Sequence, residues 1–121
     1  MKTLERQRLR LSRKRRVRKK IQRSKETPRL SIFRSSQHIY AQIVDDKQGK
    51  TLAAESSVSP EFKKAMQYGG NVKAAALVGS LLGAKAADQG IKELVCDRNG
   101  FHYAGRIKAL ADAIREKGIK V

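Results

Sequence analysis

Residues 29–44 read RLSIFRSSQHIYAQIV, and this stretch decides the fold. Two runs within it, 29–35 and 38–44, alternate apolar residues with polar or aromatic ones. Successive side chains of a strand point to opposite faces, so each run predicts a strand with one apolar face. The polar link Ser35-Ser36-Gln37 is short enough for a hairpin. The stretch therefore predicts two antiparallel strands that begin a sheet.

The next part of the chain extends this sheet and then changes to helical patterns. A polar, glycine-containing turn over 45–50 precedes a third strand-like run over 51–57. Ser59 and Asn71 are both of the type that caps the start of a helix, and each precedes a helical pattern. The first of these helices is short, because Gly69 and Gly70 follow it closely. Gly79 and Gly83 lie inside the second pattern and indicate close packing rather than a nucleotide loop.

The last third of the chain predicts one more strand and one more helix. Residues 93–97 predict a strand whose Leu94, Val95 and Cys96 are apolar without alternation, which is typical of a strand covered on both faces. An amphipathic pattern from Ile107 follows and ends at Gly118. The element order β-β-β-α-β-α predicts an α/β (α+β) fold. Its mixed sheet would combine a three-stranded antiparallel meander with one parallel strand, and its helices would pack on the sheet.

Positive charge is concentrated at the amino terminus. Residues 1–29 carry fourteen Lys and Arg against two Glu, which is twelve of the seventeen net positive charges. Such a block repels itself in water and becomes favourable to order when phosphates supply the countercharge. We expect residues 1–28 to form a basic arm, flexible alone or helical when bound to RNA. Residues 29–121 would then form a single globular RNA-binding domain.

The composition gives little support to a metal site, a disulfide or a membrane segment. Cys96 is the only cysteine and lies in an apolar run, so we expect a buried, inert thiol. No apolar run approaches the length of a membrane span. We expect an intracellular protein without a cofactor, a metal or a small-molecule substrate.

The enzyme hypothesis with most physical support is a metal-dependent nuclease, because the predicted topology resembles the start of a ribonuclease-H-like sheet. Such a site needs several carboxylates that converge on two metal ions. Asp97 is suitably placed at the end of the fourth strand, but the first strand offers Arg34 and no acid. Asp45, Asp46 and Glu55 fit a solvated hairpin better. The sequence therefore favours a protein that is not an enzyme.

Nucleic-acid binding has stronger support, because three segments combine cations with aromatic and small polar groups. Phosphate contacts need Lys and Arg, while RNA recognition adds planes for stacking and polar groups for base edges. The segments are the arm, the first hairpin and the loop before the last helix. The candidate RNA-binding residues are Arg6, Arg8, Arg10, Arg13, Lys14, Arg15, Arg16, Arg18, Lys19, Lys20 and Arg23 in the arm; Arg34, Ser35, Ser36, Gln37, His38 and Tyr40 in the hairpin; and Arg98, Asn99, Gly100, Phe101, His102, Tyr103 and Arg106 in the loop.

Some aromatic and histidine residues have a simpler structural interpretation. Phe33 is expected in the core rather than on a stacking surface, because strand aromatics usually pack under a covering helix. His38 and His102 are expected to make polar surface contacts, since neither has other metal ligands at suitable spacing. Tyr40 and Tyr103 are left open between the edge of the core and an RNA contact.

Two long segments carry a family resemblance. Residues 29–42, RLSIFRSSQHIYAQ, and residues 97–111, DRNGFHYAGRIKALA, occur in the right order, separated by the turn at 45–50 and the Thr51-Leu52-Ala53 that follows it. Together they resemble the family of bacterial ribosomal protein eighteen of the large subunit. Ala104 departs from the pattern, which has a polar residue or histidine there, so a contact from that position is not expected.

The resemblance implies a structural protein of the 50S subunit, cytoplasmic and ribosome-associated. Such a protein binds 5S rRNA and helps attach it to 23S rRNA in the central protuberance, beside other 5S-binding ribosomal proteins. It also implies that the arm, the hairpin from Arg34 to Tyr40 and the loop from Arg98 to Arg106 contact the RNA. The alternative left open is a nonspecific nucleic-acid-binding protein in which the basic arm carries all of the affinity.

Overall fold

The computed structural model describes residues 3–21 and 27–121. Four helices and four strands make up the described part of the chain. In chain order they are α1 (Thr3–Ile21), β1 (Arg29–Arg34), β2 (Ile39–Asp45), β3 (Lys50–Ser56), α2 (Pro60–Ala65), α3 (Val72–Asp88), β4 (Val95–Asp97) and α4 (Gly105–Arg115). No helix in this part is long and apolar enough to cross a membrane.

The strands form one mixed sheet in the order β3-β2-β1-β4. β1 pairs antiparallel with β2, and β2 pairs antiparallel with β3, with an irregularity in the second register beside Ile43. β4 runs parallel to β1, with Leu30 opposite Cys96. The predicted mixed sheet of a meander plus one parallel strand is confirmed.

The core lies between one face of this sheet and the helices α3 and α4. Leu30 and Ile32 of β1 are fully buried, as are the alternating positions Ile39 and Ile43 of β2. From the helices, Val78, Leu82, Ile107, Leu110 and Ile114 complete the same cluster. The alternation of β1 and β2 thus selects which sheet face the two helices cover.

Two glycines let the helices α3 and α4 approach each other closely. A Cβ atom on Gly79 would clash with the carbonyl oxygen of Leu110 and would lie 2.9 Å from the Cβ of Ala113. A Cβ atom on Gly83 would lie 3.3 Å from the Cα of Ile114 and 2.9 Å from the flexible side chain of Lys117. The prediction that these glycines are close-packing positions is confirmed.

The strand β4 is shorter than the predicted run over 93–97. Glu93 takes part only in an isolated parallel bridge with Lys120, and the regular pairing begins at Val95. β4 is also in contact with α1. The half-buried Cys96 packs against the core, and burial raises the pKa of its thiol to about 11. Few thiolate ions exist at neutral pH with such a pKa, so the thiol is unreactive.

Side-chain caps begin two of the three helices in the globular part. The side-chain oxygen of Ser59 accepts from the backbone N–H of Phe62, and that of Asn71 accepts from Ala74. Both predicted caps are confirmed. At the start of α4, Ala104 occupies the cap position in extended geometry, and its side chain has no oxygen to accept a hydrogen bond from the first turn.

Replacing Ala104 by Ser supplies the missing cap of α4. The extended backbone of Ala104 is the conformation that a capping residue adopts. We expect Ala104→Ser to stabilise the chain by about 1 kcal/mol, because a serine oxygen satisfies one first-turn N–H. Chemical denaturation of both chains measures the difference, and Ala104→Val serves as the control that adds bulk without a cap. A gain for valine equal to that for serine would contradict the capping explanation.

Candidate nucleic-acid interface

The hairpin and the loop before α4, which the sequence singled out separately, lie side by side. The guanidinium of Arg106 donates through Nη1 to the backbone carbonyl oxygen of Ser35, at 2.8 Å. Burial lowers the pKa of Arg34, and the nearby positive charge of Arg106 lowers it further. β1 leads into the hairpin and β4 leads into the loop, and these two parallel strands end at the same edge of the sheet.

Three aromatic side chains, Phe33, Tyr40 and Phe101, form an aromatic cluster. Phe33 and Tyr40 lie on the sheet face opposite the core, and the half-buried Phe101 beside them also packs against the core. The rings of Phe33 and Phe101 meet edge to face with centroids 5.5 Å apart, and those of Phe33 and Tyr40 are 6.4 Å apart. Phe33 is 46% exposed and Tyr40 is 36% exposed. Exposed rings of this kind are suitable for stacking against nucleobases.

The prediction that Phe33 belongs to the core is wrong. It alternates with Leu30 and Ile32 along β1, so its side chain points to the other face of the sheet. Both helices that cover the sheet, α3 and α4, lie on the core side. The face that carries Phe33 is therefore left partly open, and a groove of about 430 Å³ runs there past Ser31, Tyr40 and Gln42.

Guanidinium groups surround the aromatic cluster. The Cζ atoms of Arg10 and Arg34 each lie 5.0 Å from the centroid of the Phe101 ring. Arg34 belongs to the hairpin and Arg10 belongs to α1, so cations from two distant parts of the chain meet on one ring. Cation–π contacts at this distance favour ordered guanidinium planes.

The arm helix α1 contacts the body at Gly100. The Nε of Arg13 donates to the carbonyl oxygen of Gly100 at 2.8 Å. A Cβ atom on Gly100 would clash with the backbone carbonyl of Arg10, and the φ angle of Gly100 is +80°. Only glycine suits both conditions, because other residues rarely adopt that φ angle and would push the helix away.

The apolar side chains of α1 that the structure describes take no part in this contact. Leu4, Leu9 and Leu11 are exposed, as expected from their scatter around the helix. The half-buried side chains in the middle of the helix are Arg10, Arg13 and Lys14. The arm therefore lies on the body through a polar face, with spacing of three and four residues.

Several predicted contact residues in the loop before α4 also hold the loop in place. The side-chain amide of Asn99 donates to the carbonyl oxygen of Ile32 at 2.9 Å, and Asn99 is 8% exposed. The guanidinium of Arg98 donates to the carbonyl oxygen of Phe101 at 2.6 Å. Tyr103 accepts a hydrogen bond from Arg115 at 2.5 Å. These bonds position Phe101 beside Phe33.

The hairpin has exposed positions at its tip and an anchored histidine. Ser35, Ser36 and Gln37 are exposed. The Nδ1 of His38 lies 2.9 Å from the Oγ of Ser57, and the N–H of Ser35 donates to the carbonyl oxygen of His38 at 2.9 Å. The exposed tip is thus available for contacts, while His38 fixes the base of the turn.

The remaining predicted positions lie in or beyond α1. Arg6, Arg8, Arg15 and Arg16 are exposed on the helix. The backbone of Arg18, Lys19 and Lys20 belongs to α1, but the structure does not describe their side chains. Arg23 lies outside the described residues. His102 is exposed in the loop before α4.

The acidic residues considered for a nuclease do not converge. Asp97 is buried and accepts from Arg29 at 2.8 Å, and Arg29 also pairs with Asp46. Glu55 lies 3.1 Å from the Nζ of Lys85. Burial by itself raises the pKa of Glu55, but hydrogen bonds from Ser59, the Ser56 N–H and Lys85 lower it overall. Within residues 3–21 and 27–121, no three His, Cys, Asp or Glu side chains are grouped to hold a metal ion.

The sequence interpretation missed the amino end of α3 as a neighbour of the site. Gly70, Asn71 and Val72 line the same cavity as Arg34 and Arg106. The only available signal was Asn71 as a helix cap, and a cap does not reveal which surface the helix end faces.

The chain is similar to known proteins over nearly its whole length. A family model described as "Ribosomal L18 of archaea, bacteria, mitoch. and chloroplast" matches residues 4–121. A protein of Pelotomaculum thermopropionicum is 52% identical over 120 residues, which cover 99% of this chain and 98% of that protein. Proteins of Thermotoga petrophila and a Nostoc species are 52% and 53% identical, covering 92% and 88% of this chain and 91% and 89% of theirs. All three relatives bear the name large ribosomal subunit protein uL18.

Proposed function

Because the chain belongs to the ribosomal L18 family, we propose that it binds 5S rRNA and helps attach it to 23S rRNA. The protein is a structural constituent of the large ribosomal subunit, found with the ribosome in the cytoplasm. Its family consists of ribosomal structural proteins and not of enzymes. The proposed location is the central protuberance of the 50S subunit, beside other 5S-binding ribosomal proteins.

One observation carries this proposal: the hairpin and the loop before α4 combine exposed rings and guanidinium groups on one surface. Phe33 and Tyr40 of the aromatic cluster have exposed rings, and Arg10 and Arg34 lie over the neighbouring ring of Phe101. Sequence-specific RNA recognition usually stacks unpaired bases on such planes and binds the backbone with cations. This surface is the proposed source of selectivity for 5S rRNA.

The basic arm has a different role in the proposal. Residues 1–28 carry thirteen Lys and Arg against two Glu, which is eleven of the seventeen net positive charges, and residues 29–121 form the proposed recognition domain. Phosphate contacts add affinity for any RNA without reading its sequence. The arm would therefore anchor the protein, while the body selects the RNA.

Filter binding to 5S rRNA over a salt series tests the proposal. If about eight phosphates are neutralised, the log–log slope, which is that of the binding constant against the salt concentration, is expected to be about −6 to −7. Excess tRNA or duplex DNA should displace 5S rRNA poorly from a selective protein. Equal displacement by all three would favour the nonspecific nucleic-acid-binding alternative, and a nearly flat slope would contradict the charge argument.

A matched pair of variants assigns the selectivity to the aromatic cluster. Phe33→Ala removes an exposed ring, and we expect affinity for 5S rRNA to fall about tenfold, since one base stacked on an aromatic ring contributes roughly 1–3 kcal/mol. Phe33→Tyr keeps the ring and should retain the affinity. If alanine and tyrosine behave alike, the cluster does not stack with RNA.

A further inference from the structure

A cavity of about 500 Å³ lies beside the aromatic cluster, at the edge of the sheet where β1 ends. Its walls come from three separate segments: Arg34 at the end of β1, Gly70 to Val72 at the start of α3, and the start of α4 with His102 and Ala104 before it. No acidic side chain is among the described residues that line it. The cavity therefore concentrates positive charge without an internal countercharge.

Arg34 and Arg106 are the two cations of this cavity, and each is half-buried. Burial, with the neighbouring charge of Arg106, lowers the pKa of Arg34, which is the response of a guanidinium close to another cation. A guanidinium has five N–H donors. One donor of Arg106 is used on the carbonyl oxygen of Ser35, and Arg34 contacts the face of Phe101. Both guanidinium groups therefore retain N–H groups that can donate to a ligand.

The start of α4 adds to the positive potential of the cavity. Gly105 and Arg106 belong to the first turn of this helix, whose N–H groups have no partners within the helix. The preceding residue, Ala104, supplies no side-chain acceptor for them. Asn71 on the opposite wall uses its side-chain oxygen to cap α3 and is not a competing acceptor. An anion would relieve the repulsion between the arginines and also accept from these N–H groups.

We propose that Arg34 and Arg106 together bind one backbone phosphate of the RNA, between the hairpin and the loop before α4. This inference rests on the proposed function, because the phosphate is part of the bound RNA. A phosphate has oxygens enough to accept from two guanidinium forks at once. Arg34 also flanks the aromatic cluster, so the nucleotide that carries this phosphate can place its base on the exposed ring of Phe33. The site would link backbone binding to base stacking.

A double-mutant cycle in the full chain tests whether one phosphate is shared. The cycle compares wild type, Arg34→Ala, Arg106→Ala and the double variant by filter binding to 5S rRNA over a salt series. If one phosphate is shared, the double variant loses about 0.7–0.9 of the log–log slope, the contribution of one phosphate. Two separate phosphates predict a loss of about 1.4–1.8 instead. A loss near two phosphates, or no loss at all, would overturn the proposal.

Affinities from the same cycle provide a second reading. We expect each single variant to bind at least about fivefold more weakly, and the two losses not to add in the double variant, since residues with a shared partner are coupled. Additive losses together with the larger slope change would show two independent contacts.

Two control variants separate the site from general charge. Lys63→Ala with Lys64→Ala removes two exposed charges from α2, on residues that do not line the cavity, and should leave the affinity nearly unchanged. Arg34→Lys with Arg106→Lys keeps the charge but loses the forked donors, so the slope should hold while the affinity falls. Circular dichroism of every variant checks that the body remains folded. The Arg34→Lys and Arg106→Lys pair is the variant chosen to preserve the fold.

The outcomes also separate this proposal from the proposed function. Each chain is measured with 5S rRNA and with tRNA. If wild type does not distinguish the two RNAs, the proposed function fails, yet the slope of the cycle still reports whether the arginines share a phosphate. If wild type selects 5S rRNA, while the log–log slope of the double variant falls by the amount expected for two phosphates, the proposed function stands and only the proposal of one shared phosphate fails.

Discussion

Removal of residues 1–25 is expected to weaken binding to 5S rRNA by about three orders of magnitude near 0.1 M salt, because contacts of Lys and Arg with phosphates supply a large share of the affinity. Thirteen Lys and Arg lie in this segment. Each phosphate that loses its cation lowers the slope by about 0.7–0.9, so the log–log slope should fall by about half or more. Filter binding of both chains over the same salt series measures the change.

The body should remain folded without the arm. The core consists of residues from the sheet, from α2, α3 and α4, and of Leu94 and Ile119, and no described side chain of α1 belongs to it. Circular dichroism of the shortened chain should keep its helical and strand signal, apart from the loss of α1. A molten spectrum would contradict the division into arm and domain.

A full-length control distinguishes charge from contact. Arg6, Arg8, Arg15 and Arg16 are exposed on α1, and replacing all four by Gln keeps the contacts of the arm with the body. This chain should lose part of the slope while Arg13 still reaches Gly100. If it binds as tightly as wild type at every salt concentration, the arm acts through its contacts and not through its charge.

Gly79→Ala is expected to destabilise the chain by about 2 kcal/mol, as overpacking of a close helix contact does. In an exposed helix the same change stabilises by about 1 kcal/mol, because alanine is the better helix former. Here the new Cβ atom meets the carbonyl oxygen of Leu110, which belongs to the backbone of α4 and cannot rotate away. The two helices must separate, and the contacts of Val78 and Leu82 with the core loosen.

Gly83→Ala is the matched control on the same helix face. Its new Cβ atom would meet mainly the side chain of Lys117, which can move. We expect a change in the free energy of unfolding within about 0.5 kcal/mol, because the gain in helix preference offsets the tighter packing. Urea denaturation of the three chains measures both effects. A stabilised Gly79→Ala chain would show that the helices are not in close contact there.

The sheet and the helix starts could be predicted because their signals are local. The alternation of Leu30 and Ile32, and of Ile39 and Ile43, is confirmed by their burial. The caps at Ser59 and Asn71 needed only the residue type and the pattern that followed it. Short-range chemistry of this kind is visible in one sequence.

The surface of the site was harder to predict because it depends on layers and on distant contacts. Alternation placed Phe33 opposite Leu30, but no local pattern says that the helices leave this face open. The contact of Arg13 with Gly100 joins two parts of the chain through polar groups, so hydrophobic periodicity carries no trace of it. The meeting of Arg34 and Arg106 required the parallel pairing of β1 with β4.

The contact between the arm and Gly100 can form only late in the synthesis of the protein. Arg13 and Gly100 are separated by 87 positions in the chain. The arm therefore leaves the ribosome long before its docking site has been synthesised. During that interval its cations have no docking site on the body and are open to any nearby RNA, so a nascent chain is exposed to binding other RNA until Gly100 has left the ribosome.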